Sequence, residues 1–188
     1  MGLFCYTHRM KPIFFTTMGY PGAGKSYFAK RLSARINAVR LNSDSMRNIM
    51  FVDPEKSFNS EGYHTLFGAL DYAASEVIKA GYDIIYDAKC NRRSEREKNA
   101  RVASENGGEH ITLWVQTPFE VALIRASTRE VSLDQRKLTA QHLKEHKRAD
   151  LEEPGLNERH IIIEGQIEFE KQYESFVDQL KSLKSKMK

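Results

Sequence analysis

The chain has 188 residues, 40% of them hydrophobic and 29% charged, long enough to bury one sizeable core and too short for two ordinary domains. No run approaches the roughly 20 consecutive apolar residues that a membrane-spanning helix needs, and the N-terminal MGLFCYTHRMK lacks the apolar stretch of a secretory signal. The net charge of +4 suggests an anionic partner, but Lys181, Lys184, Lys186 and Lys188 crowd the last eight residues and leave 25 basic against 25 acidic residues before them. Tyr6 stands where a myristoylation motif wants Ser or Thr, and Cys5 and Cys90 lie far apart with no metal spacing. A reducing cytoplasm, with no membrane and no disulfide framework, is the expected setting.

In chain order, Ile13 to Met18 is a β-prone run ending at Gly19, and Phe28, Leu32 and Ile36 then recur on one helical face. Ala38 to Asn42 reads as a second strand, after which Ser43 and Asp44 can cap a helical turn reaching Phe51. A polar loop is expected from Pro54 to Gly62. Leu66, Leu70, Ala73 and Val77 mark an amphipathic helix that stops near Gly81, and Tyr82 to Asp87 is a third strand. Arg92 to Asn106 is a charged helix, and His110 to Val115 a fourth strand. Thr117-Pro118-Phe119-Glu120 supplies a cap, a proline and a capping-box acid for the next helix. Ile161 to Ile163 is the last strand, followed by a helix carrying Phe169, Tyr173, Phe176, Leu180 and Leu183. The alternation predicts an α/β protein with a mainly parallel five-stranded sheet, helices on both faces and right-handed crossovers.

Gly19-Tyr20-Pro21-Gly22-Ala23-Gly24-Lys25-Ser26 matches G-x-x-x-x-G-K-[ST] between a predicted strand and a predicted helix. Glycines let backbone N–H groups surround phosphate oxygens, Lys25 reaches the β and γ phosphates, and Ser26 can ligate Mg²⁺. The pattern implies a bound nucleoside triphosphate, with Gly19, Pro21, Gly22, Ala23, Gly24, Lys25, Ser26 and Tyr27 as its contact set. What is done with the triphosphate is open at this point, because such loops serve kinases, motors and switches alike.

Asp44 and Arg47 stand three residues apart just past the second strand, on one side of a helical turn and at the sheet end where ligands bind. A carboxylate there can take the proton of an incoming hydroxyl, and an arginine can hold the transferring group. A capping Asp with an exposed ion pair is the alternative.

Together the loop, the Asp-x-x-Arg element and the segment Asp87-Ala88-Lys89-Cys90-Asn91-Arg92 resemble the P-loop kinase family that includes phage polynucleotide 5′-kinase, the kinase part of tRNA ligases and the zeta toxins. The resemblance runs from about Pro12 to Arg148. It implies a three-layer P-loop fold with a helical lid, ATP as the nucleotide, Asp44 as general base, and Arg47 on the acceptor or the transferred phosphoryl. It further implies Asp87, Asn91 and Arg92 on the substrate side, Asp87 organising Mg²⁺ water or orienting Arg47, and Arg129 and Arg125 as lid arginines. Lys89 departs from the Asn that relatives often carry two places after the acid.

The resulting layout is an N-terminal extension over 1–11, one kinase domain over 12–183 with a lid at about 125–150, and a basic tail at 184–188. The expected activity is transfer of the γ-phosphoryl of ATP to a hydroxyl, with the 5′-hydroxyl of a polynucleotide as first choice. A small molecule (nucleotide sugar, nucleoside or antibiotic) or an ATPase switch is the alternative. The cluster Lys89, Arg92, Arg93, Arg96, Lys98 and Arg101 can hold a backbone phosphate, or be an exposed helix with ion pairs. His142-Leu143-Lys144-Glu145-His146 matches a zinc-protease spacing, but the surrounding Lys144, Lys147 and Arg148 and the complete phosphate loop argue for a solvated lid helix instead.

Overall fold

A computed structural model of the chain describes residues 11–53, 58–128 and 150–185. Five strands, β1 (Ile13–Met18), β2 (Val39–Asn42), β3 (Ile84–Asp87), β4 (Glu109–Gln116) and β5 (His160–Glu164), form one sheet in the order β2-β3-β1-β4-β5. Every neighbouring pair is parallel. Six helices occur among the described residues: α1 (Lys25–Ile36), α2 (Ser43–Met50), α3 (Ser60–Lys79), α4 (Arg93–Glu105), α5 (Phe119–Thr128) and α6 (Phe169–Ser185).

The period-2 alternation of side chains along a strand sorts them into two cores. Ile13, Phe15, Ile85, Leu113 and Val115 pack with Phe28 and Leu32 of α1 and Phe176 of α6. Phe14, Ile84 and Tyr86 pack on the opposite face with Leu66, Leu70, Ala74 and Ile78 of α3 and Ala103 of α4. With both faces covered, β1 is buried along its entire length, as strands of parallel sheets are. The expected three-layer α/β architecture is the one found.

Local boundaries differ from expectation for identifiable reasons. The segment expected to be loop as far as Gly62 becomes helix at Ser60, because the Asn59 side chain accepts from the Gly62 N–H at 2.8 Å. The buried stripe of α3 runs in steps of four, Gly62, Leu66, Leu70, Ala74 and Ile78, which leaves the expected Ala73 and Val77 only half-buried on its flank. Asn42, not Ser43 or Asp44, caps α2, its side chain accepting from the Ser45 N–H at 2.8 Å. Tyr82 stays outside β3 and exposed, while Asp83 accepts from the Ile13 N–H at 2.7 Å.

A polar seam crosses the α4 side of the sheet. Asn99 donates to the Thr16 hydroxyl at 3.2 Å and to the Cys90 sulfur at 3.3 Å, and His110 Nε2 lies 2.8 Å from the same hydroxyl. Burial, and then the Arg159 guanidinium, push the His110 imidazole down to about 4. A base whose folded pKa lies below its unfolded value of about 6.5 binds fewer protons when folded. Its contribution to stability is therefore complete above about pH 6.5 and is lost as the pH falls toward 4. Urea midpoints measured from pH 7 to pH 4 should decline across this window, and His110→Asn should flatten most of the decline.

Candidate functional site

Between β1 and α1, residues 19–26 form a loop whose three glycines all have positive φ: +139° at Gly19, +82° at Gly22 and +102° at Gly24. Space as well as φ demands glycine at two of them. A Cβ on Gly22 would lie 2.1 Å from the Ala122 carbonyl oxygen of α5, and one on Gly19 would lie 2.5 Å from that of Val115. Gly24 is the N-cap of α1 and brings no side chain to cap it, so the first amides of this helix are available to an anion.

Thr117, expected to cap α5, instead donates its hydroxyl to the Ala23 carbonyl at 2.9 Å. The helix starts after it, at Phe119, with Ala122 donating to Pro118 at 3.0 Å. Gly165, just past β5, leaves room for this contact, since a Cβ there would lie 2.1 Å from the Thr117 hydroxyl. Lys25 Nζ donates to the carbonyls of Gly19 and Tyr20, both at 2.9 Å. Tyr20 meets Phe119 edge-on at 5.1 Å. Tyr27 is half-exposed with the Arg31 guanidinium 3.8 Å above its ring. Arg125 donates to the Gly165 carbonyl at 2.8 Å, and Arg129 lies outside the described residues.

β3 is hydrogen-bonded to β1, so the Asp87 carboxylate at its C-terminal end lies beside the start of α1. Ser26 donates to Asp87 Oδ1 at 3.0 Å, while Arg40 Nε at 2.9 Å and Asn42 Nδ2 at 2.8 Å serve Oδ2. These donors compensate a carboxylate that is only 3% exposed. Asp87 does not meet Arg47, whose orientation was one of the two roles that the family resemblance implied for it. Arg40 from the neighbouring strand is its guanidinium partner, and Arg47 turns to Asp44. Arg40 was missed because its meaning depends on the pairing of β2 with β3. The Arg47 guanidinium also lies over the Phe58 ring at 4.7 Å, and its Nε is buried without a hydrogen-bond partner.

The loop after β3 behaves differently from a substrate grip. Asn91 is 1% exposed, and its Oδ1 accepts from the Gly19 N–H at 3.0 Å. Of the basic cluster, Lys89 and Arg92 both bind Asp150, Arg93 binds Glu97, Lys98 binds Asp71, and the fully buried Arg96 binds Glu158. Five of the six cations of this cluster thus have carboxylate partners, and Arg96 is buried and not on an exposed face. The His142 to His146 segment lies outside the described residues.

Beside these groups a small crevice of about 40 Å³ separates α3 from α4 at the end of β3. Tyr63 and Phe67, with ring centroids 4.4 Å apart, form an aromatic wall, and Asp71, Lys89, Glu95 and Lys98 supply two charges of each sign. Asp71 accepts from the Tyr86 hydroxyl at 2.9 Å. Burial, followed by Glu95, raises the Tyr63 phenol above its ordinary range, and burial likewise pushes the Cys90 thiol up and keeps it unreactive.

A family model described as an AAA domain matches residues 15–154, so the chain belongs to this family of P-loop, kinase-like proteins. No curated protein sequence matches it. Among solved structures, an unliganded sugar kinase from Janibacter sp. HTCC2649 superposes with a TM-score of 0.69 at 19% identity, covering 90% of this chain and 95% of that one. The APS kinase of Mycobacterium tuberculosis, in complex with AMPPNP and APS, gives 0.63 at 14% identity, covering 91% and 98%. A Pnkp1/Rnl/Hen1 complex gives 0.56 at 22% identity and covers 70% of this chain but 44% of that one. These likenesses carry the fold.

Proposed function

We propose that this AAA-family chain is an ATP-dependent kinase that moves the γ-phosphoryl to a hydroxyl of a small polar molecule. Family membership and the complete phosphate loop support the nucleotide half of this reading. The acceptor half rests on one observation above all: five of the six cations expected to hold a polynucleotide, all but Arg101, are engaged with the chain's own carboxylates. The crevice beside them, about 40 Å³, is far smaller than the roughly 300–1,000 Å³ usual for ligand pockets, so it offers a small acceptor an edge to contact and not an enclosing pocket. Its aromatic wall and balanced charges are the chemistry of a contact with a small polar molecule, in keeping with the small-molecule kinases among the structural neighbours. A polynucleotide acceptor is thereby the less favoured choice.

In this mechanism the amides at the start of α1 and Lys25 hold the β and γ phosphates. Asp44 accepts the proton of the acceptor hydroxyl as its oxygen bonds to the γ phosphorus and the bond to the β-phosphate oxygen breaks. Arg47, held against Asp44, faces the charge that develops on the phosphoryl oxygens, a role the sequence resemblance also gives Arg129. Ser26 and Asp87, a hydroxyl and a carboxylate 3.0 Å apart, are hard-oxygen groups of the kind Mg²⁺ takes. Bound there, the ion would offset charge on the phosphates.

The experiment follows terminally labelled ATP into parallel reactions with monosaccharides and their acids, nucleosides, a 5′-hydroxyl oligonucleotide and no acceptor. Label on a small molecule supports the proposal. Label only on the oligonucleotide restores the polynucleotide reading, and label released solely as free phosphate makes the protein an ATPase.

A further inference from the structure

We propose that Asn91 is a positioning residue for nucleotide binding, held in place by the Arg96–Glu158 pair behind it. The proposal rests on reading residues 19–26 as a triphosphate site. Gly19, the first residue of that loop, has its peptide held from two directions: its N–H donates to Asn91 Oδ1 at 3.0 Å, and its carbonyl accepts from Lys25 Nζ at 2.9 Å. Displacing Asn91 therefore moves the carbonyl that seats the phosphate-binding lysine.

Asn91 is in turn fixed through its own backbone. Its carbonyl accepts from Arg96 Nη1 at 2.8 Å and from the Glu152 N–H at 3.0 Å. Arg96 is 1% exposed, and its Nε and Nη2 donate to the two Glu158 oxygens at 2.7 and 3.1 Å. That planar two-point contact fixes direction as well as distance. Glu158 itself accepts from the Gly155 N–H at 3.0 Å. Burial opposes its charge, but Arg96 and the Gly155 N–H more than offset this and hold its carboxyl below the usual range. A buried arginine is thus joined to the phosphate loop through one asparagine.

The test measures ATP dissociation constants, the KM of the acceptor found for the reaction, and melting temperatures. The variants are Asn91→Leu, Glu158→Gln, their double mutant and a core control, Phe176→Leu. Asn91→Leu leaves the Gly19 N–H buried without an acceptor and should weaken ATP binding about tenfold, with acceptor KM changed less than twofold. Glu158→Gln should weaken ATP binding about threefold. The double mutant should match Asn91→Leu alone, because both act through one chain of contacts. Phe176→Leu should lower the melting temperature without touching ATP affinity. Unchanged ATP affinity in Asn91→Leu, or costs that multiply in the double mutant, overturn the proposal. Absence of ATP binding by the unaltered chain would instead remove the triphosphate reading on which it rests.

Discussion

Lys25→Ala should abolish phosphoryl transfer and weaken ATP binding about a hundredfold. Each charge-assisted hydrogen bond to a phosphate contributes roughly 1.5–3 kcal/mol, and the alanine loses all those of the ammonium while keeping the helix-end amides. In the folded chain the ammonium rests on the Gly19 and Tyr20 carbonyls, so the variant also frees two acceptors at the loop surface, which water can serve. Titration calorimetry with a non-hydrolysable ATP analogue separates the two effects. A variant that binds the analogue as tightly as the unaltered chain would remove Lys25 from the phosphate site. Its melting temperature should stay within a few degrees, because the two carbonyls it leaves are only part-buried and open to water.

Asp44→Asn should lower turnover by 10²- to 10⁴-fold, the usual contribution of a positioned general base, while ATP affinity changes less than twofold. The amide preserves the shape of the carboxylate and an oxygen for Arg47, so the loss would be that of proton acceptance. Asp44 is 38% exposed and Arg47 14%, so the acid is the more open member of the pair. Single-turnover kinetics with the identified acceptor would measure it. Near-normal turnover in Asp44→Asn would end the general-base assignment and reduce the residue to a partner for Arg47. Loss of both binding and chemistry in Lys25→Ala, against loss of chemistry alone in Asp44→Asn, would separate a nucleotide-holding residue from one that acts on the acceptor.

The parts of the fold legible in the sequence were those encoded locally. The glycine-rich motif fixed the loop, its flanking strand and its helix, because the consensus, φ and hydrophobic period all lie within some 25 residues. Asp44 and Arg47 were legible as a pair for the same reason, being three residues apart on one helical turn. What could not be read was pairing between distant segments. Asp87 was identified, but its guanidinium partner is Arg40, 47 positions away and brought near only when β2 joins β3. Asn91 was placed on the substrate side by the family resemblance, yet its amide oxygen accepts from Gly19, 72 positions earlier. The basic cluster misled because charge counts say nothing of acids returning from 150–158, where Asp150 and Glu158 bind Lys89, Arg92 and Arg96. Thr117 carried every mark of a cap, and the Ala23 carbonyl claimed its hydroxyl instead.

The supports of the phosphate loop come from Asp87, Asn91, Thr117, Ala122 and Gly165, so the loop takes its working shape only when nearly the entire chain has assembled around it. During synthesis the motif leaves the ribosome early, long before β4 and β5 exist to flank and brace it. A nascent chain therefore carries the full consensus without the ability to use it, and competence for nucleotide arrives late and at once. By mass action the bound nucleotide then stabilises all of those supports together, so ATP acts on this protein as a ligand of its folded state and not of its loop alone.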